Sequence, residues 1–344
     1  MTSIRSALVV IVAGVLAGCS ATPSQTALAP ASDARSAHET PAQLQARGIS
    51  PAFQAIASPA ASHHGTSWMS PDAKKKSSLL YVADEATGDV DVYSYPQGKP
   101  EGTLTGFDLP TGICTSKAGD VYILNGGGST AEVFAHGGTS PLRTLDLTGA
   151  PEFSCSVDQK TGNFAVGVIA SGDISAIAVF AKGQGKAVLY EPSGQSGFPG
   201  CAYDSHSNLF CDAYGSGDAF ALYELPKNGS NAAAVSVSGA SGLLAGPMQW
   251  DGKDLAFGSG ARGTLYQIAL SGSTGSVQSS TSLTGTGWVW QFWIQGKRVI
   301  VPTYAGTTAP EVGYYKYPAG GSSTKAITGF EQPDGAAIST TKTQ

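Results

Sequence analysis

Few side chains of this chain are placed to do acid–base or nucleophilic chemistry. Three of its five histidines, His38, His63 and His64, lie in a segment rich in Ala, Ser, Pro and Thr, where solvated side chains are the simplest interpretation. The other two, His136 and His206, lie inside polar turn sequences and are interpreted as turn residues. The sequence has no Gly-x-Ser-x-Gly elbow, His-Glu-x-x-His motif, glycine-rich phosphate loop or EF-hand loop. It therefore offers no known catalytic set.

Aromatic side chains are candidates for ligand binding. Trp288, Trp290 and Phe292 follow one another at a spacing of two, which would place them on one face of a β-strand. Trp250 precedes this run. A tryptophan ring has a flat apolar face and one hydrogen-bond donor, so these residues could bind sugar rings or apolar ligands. Packing in the domain core is the alternative role.

Composition excludes several classes of protein. The 344 residues include 45 glycines and 13% charged residues, which excludes a coiled coil. The hydrophobic content of 41% excludes wholesale disorder. The net charge of −5, without long charged runs, argues against nucleic acid as a partner. No apolar run reaches the ~18 residues that a membrane-spanning helix needs.

The first twenty residues predict export. Arg5 supplies positive charge, and residues 7–16 form an apolar segment too short to span a bilayer. The adjoining sequence Leu-Ala-Gly-Cys19 resembles the lipobox of bacterial lipoproteins. The resemblance implies a signal peptide over residues 1–18, lipidation of Cys19 and anchoring to the cell envelope. Ser20, where Asp would imply inner-membrane retention, favours the outer membrane in a host that has one. An ordinary secretory signal is the alternative.

Residues 19–76 are interpreted as a lipidated flexible tether. They are rich in Ala, Ser, Pro and Thr and have no sustained apolar period. From Ser77 onward, short β-branched and aromatic runs alternate with Gly, Asp, Asn and Pro turns. We therefore expect one folded domain over residues 77–344.

A repeat of apolar strand, polar turn and apolar strand recurs within this domain. Its copies begin at Cys114, Cys155, Cys201, Met248 and Phe292, which are 41, 46, 47 and 44 residues apart. A unit of ~40–50 residues with four short strands is typical of a β-propeller blade.

The two ends of the domain also match each other. Residues 93–96 (Tyr-Ser-Tyr-Pro) correspond to residues 315–318 (Tyr-Lys-Tyr-Pro), and each copy continues to a Thr-Gly-Phe sequence, at Phe107 and Phe330. The second copy leads into residues 336–339, in the place of an innermost strand that the start of the domain lacks. We therefore predict an all-β, six-bladed β-propeller of four-stranded blades, whose ring is closed by the C-terminal strand joining the first blade. Closure removes the exposed sheet edge.

The hairpin turns, such as Asp158 to Asn163, and the Tyr-Pro-x-Gly sequences resemble the six-bladed NHL and gluconolactonase-like (SMP-30-like) propellers. Gluconolactonase-like enzymes hold one divalent cation at the channel mouth with oxygen ligands, and the metal polarises the lactone carbonyl. The resemblance makes Glu152 and Asp334 candidate ligands for calcium or magnesium. Ordinary acids in blade loops are the alternative, since the rest of that family's ligand set has no counterpart here.

The four cysteines besides Cys19 allow three disulfide pairings. Cys201 and Cys211 flank one hairpin turn and would lie nearly opposite each other on paired strands. Cys114 and Cys155 would occupy equivalent positions on the innermost strands of adjacent blades. Four free, buried cysteines are the alternative.

Three functions fit these observations. The first is a monomeric, non-catalytic envelope module that binds a protein, glycan or small ligand through its loop face. The second is a metal-dependent lactonase or esterase with diverged ligands, and the third is a structural part of an envelope complex. Carboxylates converging on the channel from at least three blades would favour the enzyme.

Overall fold

The computed structural model describes residues 65–170, 174–215, 219–259, 263–304 and 309–341. These residues form 26 β-strands and two 3-10 helices, Ala73–Lys75 and Ala181–Gly183. The signal peptide, Cys19 and most of the tether lie outside the described residues. Within these ranges, no helix is long and apolar enough to cross a bilayer.

Three of the sheets are made by the first half of the chain together with the last strand. The first sheet has the order β1-β4-β3-β2-β26, with the bounds β1 Trp68–Met69, β2 Ser78–Asp84, β3 Asp89–Ser94, β4 Pro100–Leu104 and β26 Pro333–Thr340. The second comprises β5 Pro110–Thr115, β6 Val121–Asn125, β7 Thr130–Phe134 and β8 Pro141–Asp146. The third comprises β9 Gly149–Val157, β10 Phe164–Ala170, β11 Ile174–Phe180 and β12 Val188–Tyr190.

The second half of the chain forms two further sheets. The fourth has nine strands, with the bounds β13 Cys201–Tyr203, β14 Leu209–Tyr214, β15 Phe220–Leu225, β16 Ala233–Ser238, β17 Met248–Trp250, β18 Leu255–Gly258, β19 Thr264–Ser271, β20 Thr274–Thr284 and β24 Gly321–Ser322. The fifth comprises β21 Trp293–Gln295, β22 Arg298–Thr303, β23 Glu311–Lys316 and β25 Lys325–Thr328.

The number of separate sheets differs from the sequence prediction. We predicted six four-stranded sheets, and the described residues form five, because the fourth sheet joins two antiparallel runs of four strands. Residues 236–238 of β16 pair in parallel with residues 274–276 of β20. An outer strand has unpaired backbone N–H and C=O groups at its edge, and the edges of β16 and β20 pair these groups with each other. Likewise, β1 adds a fifth strand to the edge of the first sheet.

The C-terminal strand β26 lies in the first sheet, as the sequence predicted. It pairs antiparallel with β2, from Ser78 opposite Thr340 to Asp84 opposite Pro333. The innermost strands β26, β5, β9, β13 and β17 contact one another in that order. Strand β21 contacts β26 and is hydrogen-bonded to β17 through Gln249. The arrangement is all-β and propeller-like, with the inner strands around a central channel.

The core lies between the sheets rather than on one side of each sheet. In β2, Leu80 and Val82 pack in one apolar cluster with residues of the fifth sheet. The alternate residues Leu79 and Tyr81 pack in another cluster with residues of the second sheet. A strand covered on both faces needs apolar residues at successive positions, which explains the nearly continuous apolar sequence of β2.

Glycines allow the inner strands to approach each other closely. A Cβ atom on Gly112 would overlap the carbonyl oxygen of Phe153, and one on Gly335 would overlap the carbonyl oxygen of Thr111. Any larger residue at these positions would push neighbouring inner strands apart. The channel is therefore narrow where the inner strands begin.

Candidate functional site

The channel has two distinct ends, because the starts of neighbouring inner strands lie side by side, as the close approaches of Gly112 to Phe153 and of Gly335 to Thr111 show. We call the end at which the inner strands begin the upper end, and the end at which they finish the lower end. Asp334, the second residue of β26, lies at the upper end, and Trp250, the last residue of β17, lies at the lower end.

A buried carboxyl pair lies at the upper end. Asp334 and Glu85 are each 2% exposed, and they are neighbours because Glu85 follows β2, which is paired with β26. Burial raises the pKa of Glu85 far above its ordinary value, and the nearby charge of Asp334 raises it further. Burial also raises the pKa of Asp334, although hydrogen bonding to Glu85 and Tyr304 opposes this shift. At neutral pH, Glu85 therefore keeps a proton next to the Asp334 carboxylate.

The loop before β26 holds this carboxyl pair in place. The Asp84 carboxylate accepts hydrogen bonds from the backbone N–H groups of Glu331, at 2.7 Å, and Gln332, at 2.8 Å. The Gln332 side chain donates to Glu85 and, at 3.3 Å, to the Tyr304 hydroxyl. The cluster is thus fixed by hydrogen bonds between the end of β2 and the loop before β26.

Only one of the two metal-ligand candidates can be placed in this cluster. Asp334 lies beside Glu85, whereas Glu152 lies in β9 and its side chain is outside the described part of the structure. Sequence analysis missed Glu85, although its position directly after the acid that ends β2 was a usable signal. Among the described residues, no group of three or more His, Cys, Asp or Glu side chains is placed to hold a metal ion.

Aromatic residues pack together at the upper end of the channel. Trp290 stacks on Trp288 with ring centroids 5.6 Å apart and packs against Phe153 at 5.2 Å. The prediction that Trp288, Trp290 and Phe292 share one strand face is wrong, because residues 286–292 form a loop and β21 begins at Trp293. Trp290 is 4% exposed, and the space beside it, which Phe153 and Val289 also line, measures about 10 Å³. Trp290 therefore takes the core-packing role, whereas Trp288 is half-buried.

A buried glutamine connects two neighbouring inner strands. The Gln291 amide accepts from the backbone N–H groups of Ile113, at 3.0 Å, and Ala336, at 2.9 Å, and it donates to the Ile113 carbonyl at 2.8 Å. Ile113 belongs to β5 and Ala336 to β26. The side chain thus satisfies backbone groups of two inner strands.

The lower end of the channel opens into a cavity of about 600 Å³. Its wall consists of the last residues of the inner strands and the hairpin turns that follow them. Aromatic and amide side chains form part of this wall: Tyr203, Trp250, Trp293, Gln159, Gln249 and Gln295. Two lysines and two aspartates, Lys117, Lys160, Asp158 and Asp204, also line it. The predicted ligand-binding residue Trp250 therefore lies in a cavity, at the opposite end of the channel from Trp288 and Trp290.

Both cysteine pairs considered from the sequence are bonded in the structure. Cys114 of β5 and Cys155 of β9 join adjacent sheets, with their Cα atoms 5.7 Å apart, and they line the lower cavity. Cys201 and Cys211 lie directly opposite each other on β13 and β14, with their Cα atoms 4.1 Å apart. The first disulfide fixes the separation of two strands that form the cavity wall.

The remaining polar residues of the repeats have structural roles. The Asp204 carboxylate accepts the backbone N–H of His206 at 2.7 Å, and His206 is exposed in this turn. The His136 ring is hydrogen-bonded to the Ser339 hydroxyl, at 2.8 Å, and to the Lys76 carbonyl, at 2.9 Å. Burial lowers the pKa of His136, so the ring is neutral and links loops. These contacts agree with the interpretation of both histidines as turn residues.

Comparison with known proteins identifies the fold. No family model matches the chain, and no curated protein matches it in sequence. Solved structures do match: a chain of the nidogen/laminin complex has a TM-score of 0.60 and 12% identity, and the match covers 76% of this chain and 98% of that chain. A protein of unknown function from Bacteroides caccae has a TM-score of 0.54 and 13% identity, with the same coverage. Such identities establish the fold alone. The chain is a β-propeller.

Proposed function

We propose that the protein is a non-catalytic binding module, a six-bladed β-propeller anchored to the cell envelope, and that it binds a glycan in its lower cavity. The blade count treats the fourth sheet as two blades. Each of its two antiparallel runs begins with an inner strand at the channel, β13 in one and β17 in the other. Their joining through β16 and β20 affects only the outer edges.

The shape and lining of the lower cavity carry this proposal. Its volume of about 600 Å³ falls in the range of small-ligand sites, ~300–1,000 Å³. Trp250 and Trp293 are half-buried, so part of each indole remains accessible. The C–H face of a sugar ring is apolar and packs on the electron-rich face of an indole, while the sugar hydroxyls need amide and carboxylate partners. The cavity provides both kinds of partner.

The amide side chains around the cavity are held in fixed positions. Gln295 accepts the indole N–H of Trp293 at 3.2 Å. Gln159 donates to the carbonyl of Thr115, at 3.0 Å, and to that of Val157, at 2.8 Å. Side chains that are ordered before binding lose less entropy when a ligand arrives, which favours affinity.

The upper carboxyl pair favours a binding module over the metal-dependent lactonase. Asp84, Glu85 and Asp334 all belong to or directly follow strands of the first sheet, whereas the enzyme interpretation requires carboxylates from at least three blades.

Envelope anchoring forms part of the same proposal and rests on the lipobox sequence. Lipidated Cys19, at the start of a tether over residues 19–67, would hold the propeller outside the cytoplasm, in the outer membrane where the host has one. The last part of the predicted tether, residues 68–76, is instead folded onto the domain, with β1 paired to β4. The Cys19→Ala variant should move from the membrane fraction to the soluble fraction. An unchanged membrane fraction would contradict lipidation at this residue.

Glycan binding is tested with an oligosaccharide array, followed by calorimetric titration of the glycans that bind. Trp250→Ala and Trp293→Ala should each weaken binding about tenfold, the loss expected for one aromatic stacking contact. Trp68→Ala is the matched control, since Trp68 is 51% exposed and lies on β1, away from the channel. Gln295→Ala tests the same cavity if the tryptophan variants fold poorly. Unchanged affinity in all the cavity variants, or no glycan binding by the protein, would overturn the proposal.

A further inference from the structure

A second pocket adjoins the lower cavity and differs from it in charge. It measures about 420 Å³ and lies between the end of β3 and the fifth sheet. Its lining consists of Tyr95, Gln295, Lys297, Arg298, Lys316 and Thr324. Gln295 lines both spaces, so the pocket continues outward from the cavity at this residue.

Strand register places the polar residues of this pocket in one row. Gln295 on β21 lies opposite Arg298 on β22, and Arg298 lies opposite Lys316 on β23. Residues directly opposite each other project from the same face of a sheet. With neighbouring strands ~4.8 Å apart, Arg298 is one strand and Lys316 two strands, roughly 10 Å, from Gln295. A path therefore leads from the tryptophan-lined cavity to two cationic side chains.

The charges in this row are not compensated within the described residues. Like charges directly opposite each other on paired strands repel. In the described part of the chain, none of the side chains of Lys297, Arg298 and Lys316 lies within 4.0 Å of a carboxylate oxygen, whereas Lys76 pairs with Glu101 at 3.4 Å. All three cations are exposed, in a chain whose net charge is −5. The repulsion would be relieved by an anion bound between them.

A fourth cation strengthens the positive field at the outer end of this row. Lys325 donates to the carbonyl oxygens of Pro96 and Gln97, and its ammonium group lies 5.5 Å from the centre of the Tyr314 ring. Tyr314 in turn stacks on Tyr95, with ring centroids 5.9 Å apart. Carbonyl and aromatic contacts fix the position of Lys325 without neutralising its charge.

We propose that the glycan bound by the protein is acidic. One sugar ring stacks on the tryptophans of the lower cavity, and a carboxylate or sulfate group of a neighbouring residue of the same glycan binds between Arg298 and Lys316. The planar guanidinium of Arg298 can bind both oxygens of such a group, while Lys297 and Lys316 act as point charges. This inference rests on the proposed function, which places a glycan in the lower cavity. It adds that this glycan is negatively charged.

The test uses matched pairs of glycans that differ only in charge. Oligosaccharides of glucuronic, galacturonic and mannuronic acid are each compared with the same oligosaccharide after reduction of its carboxyl groups to alcohols. Sulfated oligosaccharides, compared with their desulfated forms, distinguish sulfate from carboxylate as the preferred anion. At low salt, at least one acidic form should bind the full-length protein about tenfold more tightly than its neutral counterpart, and the preference should fall as salt screens it.

Two double variants test which lysine and arginine side chains cause the preference for the acidic glycan. Arg298→Gln with Lys316→Gln should remove the preference for the acidic form and change the affinity for the neutral form less than twofold. Lys186→Gln with Lys227→Gln is the control, because it removes the same charge from exposed positions in the loops before β12 and after β15. Equal binding of acidic and neutral forms, or a preference that survives in the first double variant, would overturn the inference and leave the proposed function intact. Binding of neither form would overturn the proposed function itself.

Discussion

Replacing Glu85 by Gln should make the stability of the protein less dependent on pH. Burial and the Asp334 charge raise the pKa of Glu85 in the folded protein, so the folded state retains a proton that the unfolded chain releases above an ordinary carboxyl pKa of about 4.5. The stability that this proton contributes is fully present below that pKa and is lost progressively as the pH rises above it. An amide at this position cannot ionise, so the variant does not lose stability by this route.

The proton retained by Glu85 sets how strongly the free energy of unfolding depends on pH. One proton held by the folded state and absent from the unfolded state changes the free energy of unfolding by about 1.4 kcal/mol per pH unit. Between pH 5 and pH 7, the wild type should therefore lose about 3 kcal/mol of stability relative to Glu85→Gln. The amide keeps the contact with Gln332, because its oxygen accepts from the Gln332 side chain, and its NH₂ group can donate to the neighbouring Asp334 carboxylate.

The measurement is urea unfolding of the wild type and Glu85→Gln at pH 5, 6, 7 and 8. The difference between the two free energies of unfolding cancels the titration of all groups whose pKa values do not depend on residue 85. Glu331→Gln, in the exposed part of the same loop, is the matched control and should follow the wild type. Parallel stability curves for the wild type and Glu85→Gln would refute the assignment of a retained proton to this pair.

Three further predictions concern stability and are measured by urea unfolding. Gln291→Leu leaves three buried backbone groups without partners and should cost at least ~3 kcal/mol, whereas a loss below about 1 kcal/mol would show that the inner strands do not depend on this amide. Replacing Cys114 and Cys155 together by Ser should cost about 4 kcal/mol, because their disulfide closes a loop with a sequence separation of 41. Arg298→Gln should stabilise the protein by about 0.2–1 kcal/mol at low salt by removing its repulsion with Lys316, and the gain should disappear in 1 M salt. A gain that is independent of salt would exclude repulsion as its cause.

The position of the last strand could be predicted because the relevant signal is local. The matching sequences at residues 93–96 and 315–318 mark equivalent places in two blades, so the segment after the second copy must be an inner strand. The pairing of β16 with β20 could not be predicted in this way. It depends on where two outer edges, each specified by its own hairpin, come to lie in space.

In the candidate site, too, contacts between residues close in sequence could be predicted, and contacts between residues far apart in sequence could not. Gln295 and Arg298 flank a two-residue turn, Gly296 and Lys297, and such a turn places its flanking residues opposite each other. The placement of Arg298 opposite Gln295 could therefore be predicted from the sequence. The pairing of Glu85 with Asp334 was not, because it brings together residues from the two ends of the domain and exists only once β26 has joined β2.

The buried carboxyl pair and the lower cavity lie at opposite ends of the channel. Between them, Gln291 bridges the neighbouring inner strands β5 and β26. The lower cavity is lined by the last residues of the inner strands, so a ligand bound there does not contact Glu85. Titration of Glu85 should then change the stability of the folded protein without changing its affinity for a glycan. Equal affinity of the wild type and Glu85→Gln at pH 6 and pH 8 is the expected result, and a pH-dependent difference would show that the two ends communicate.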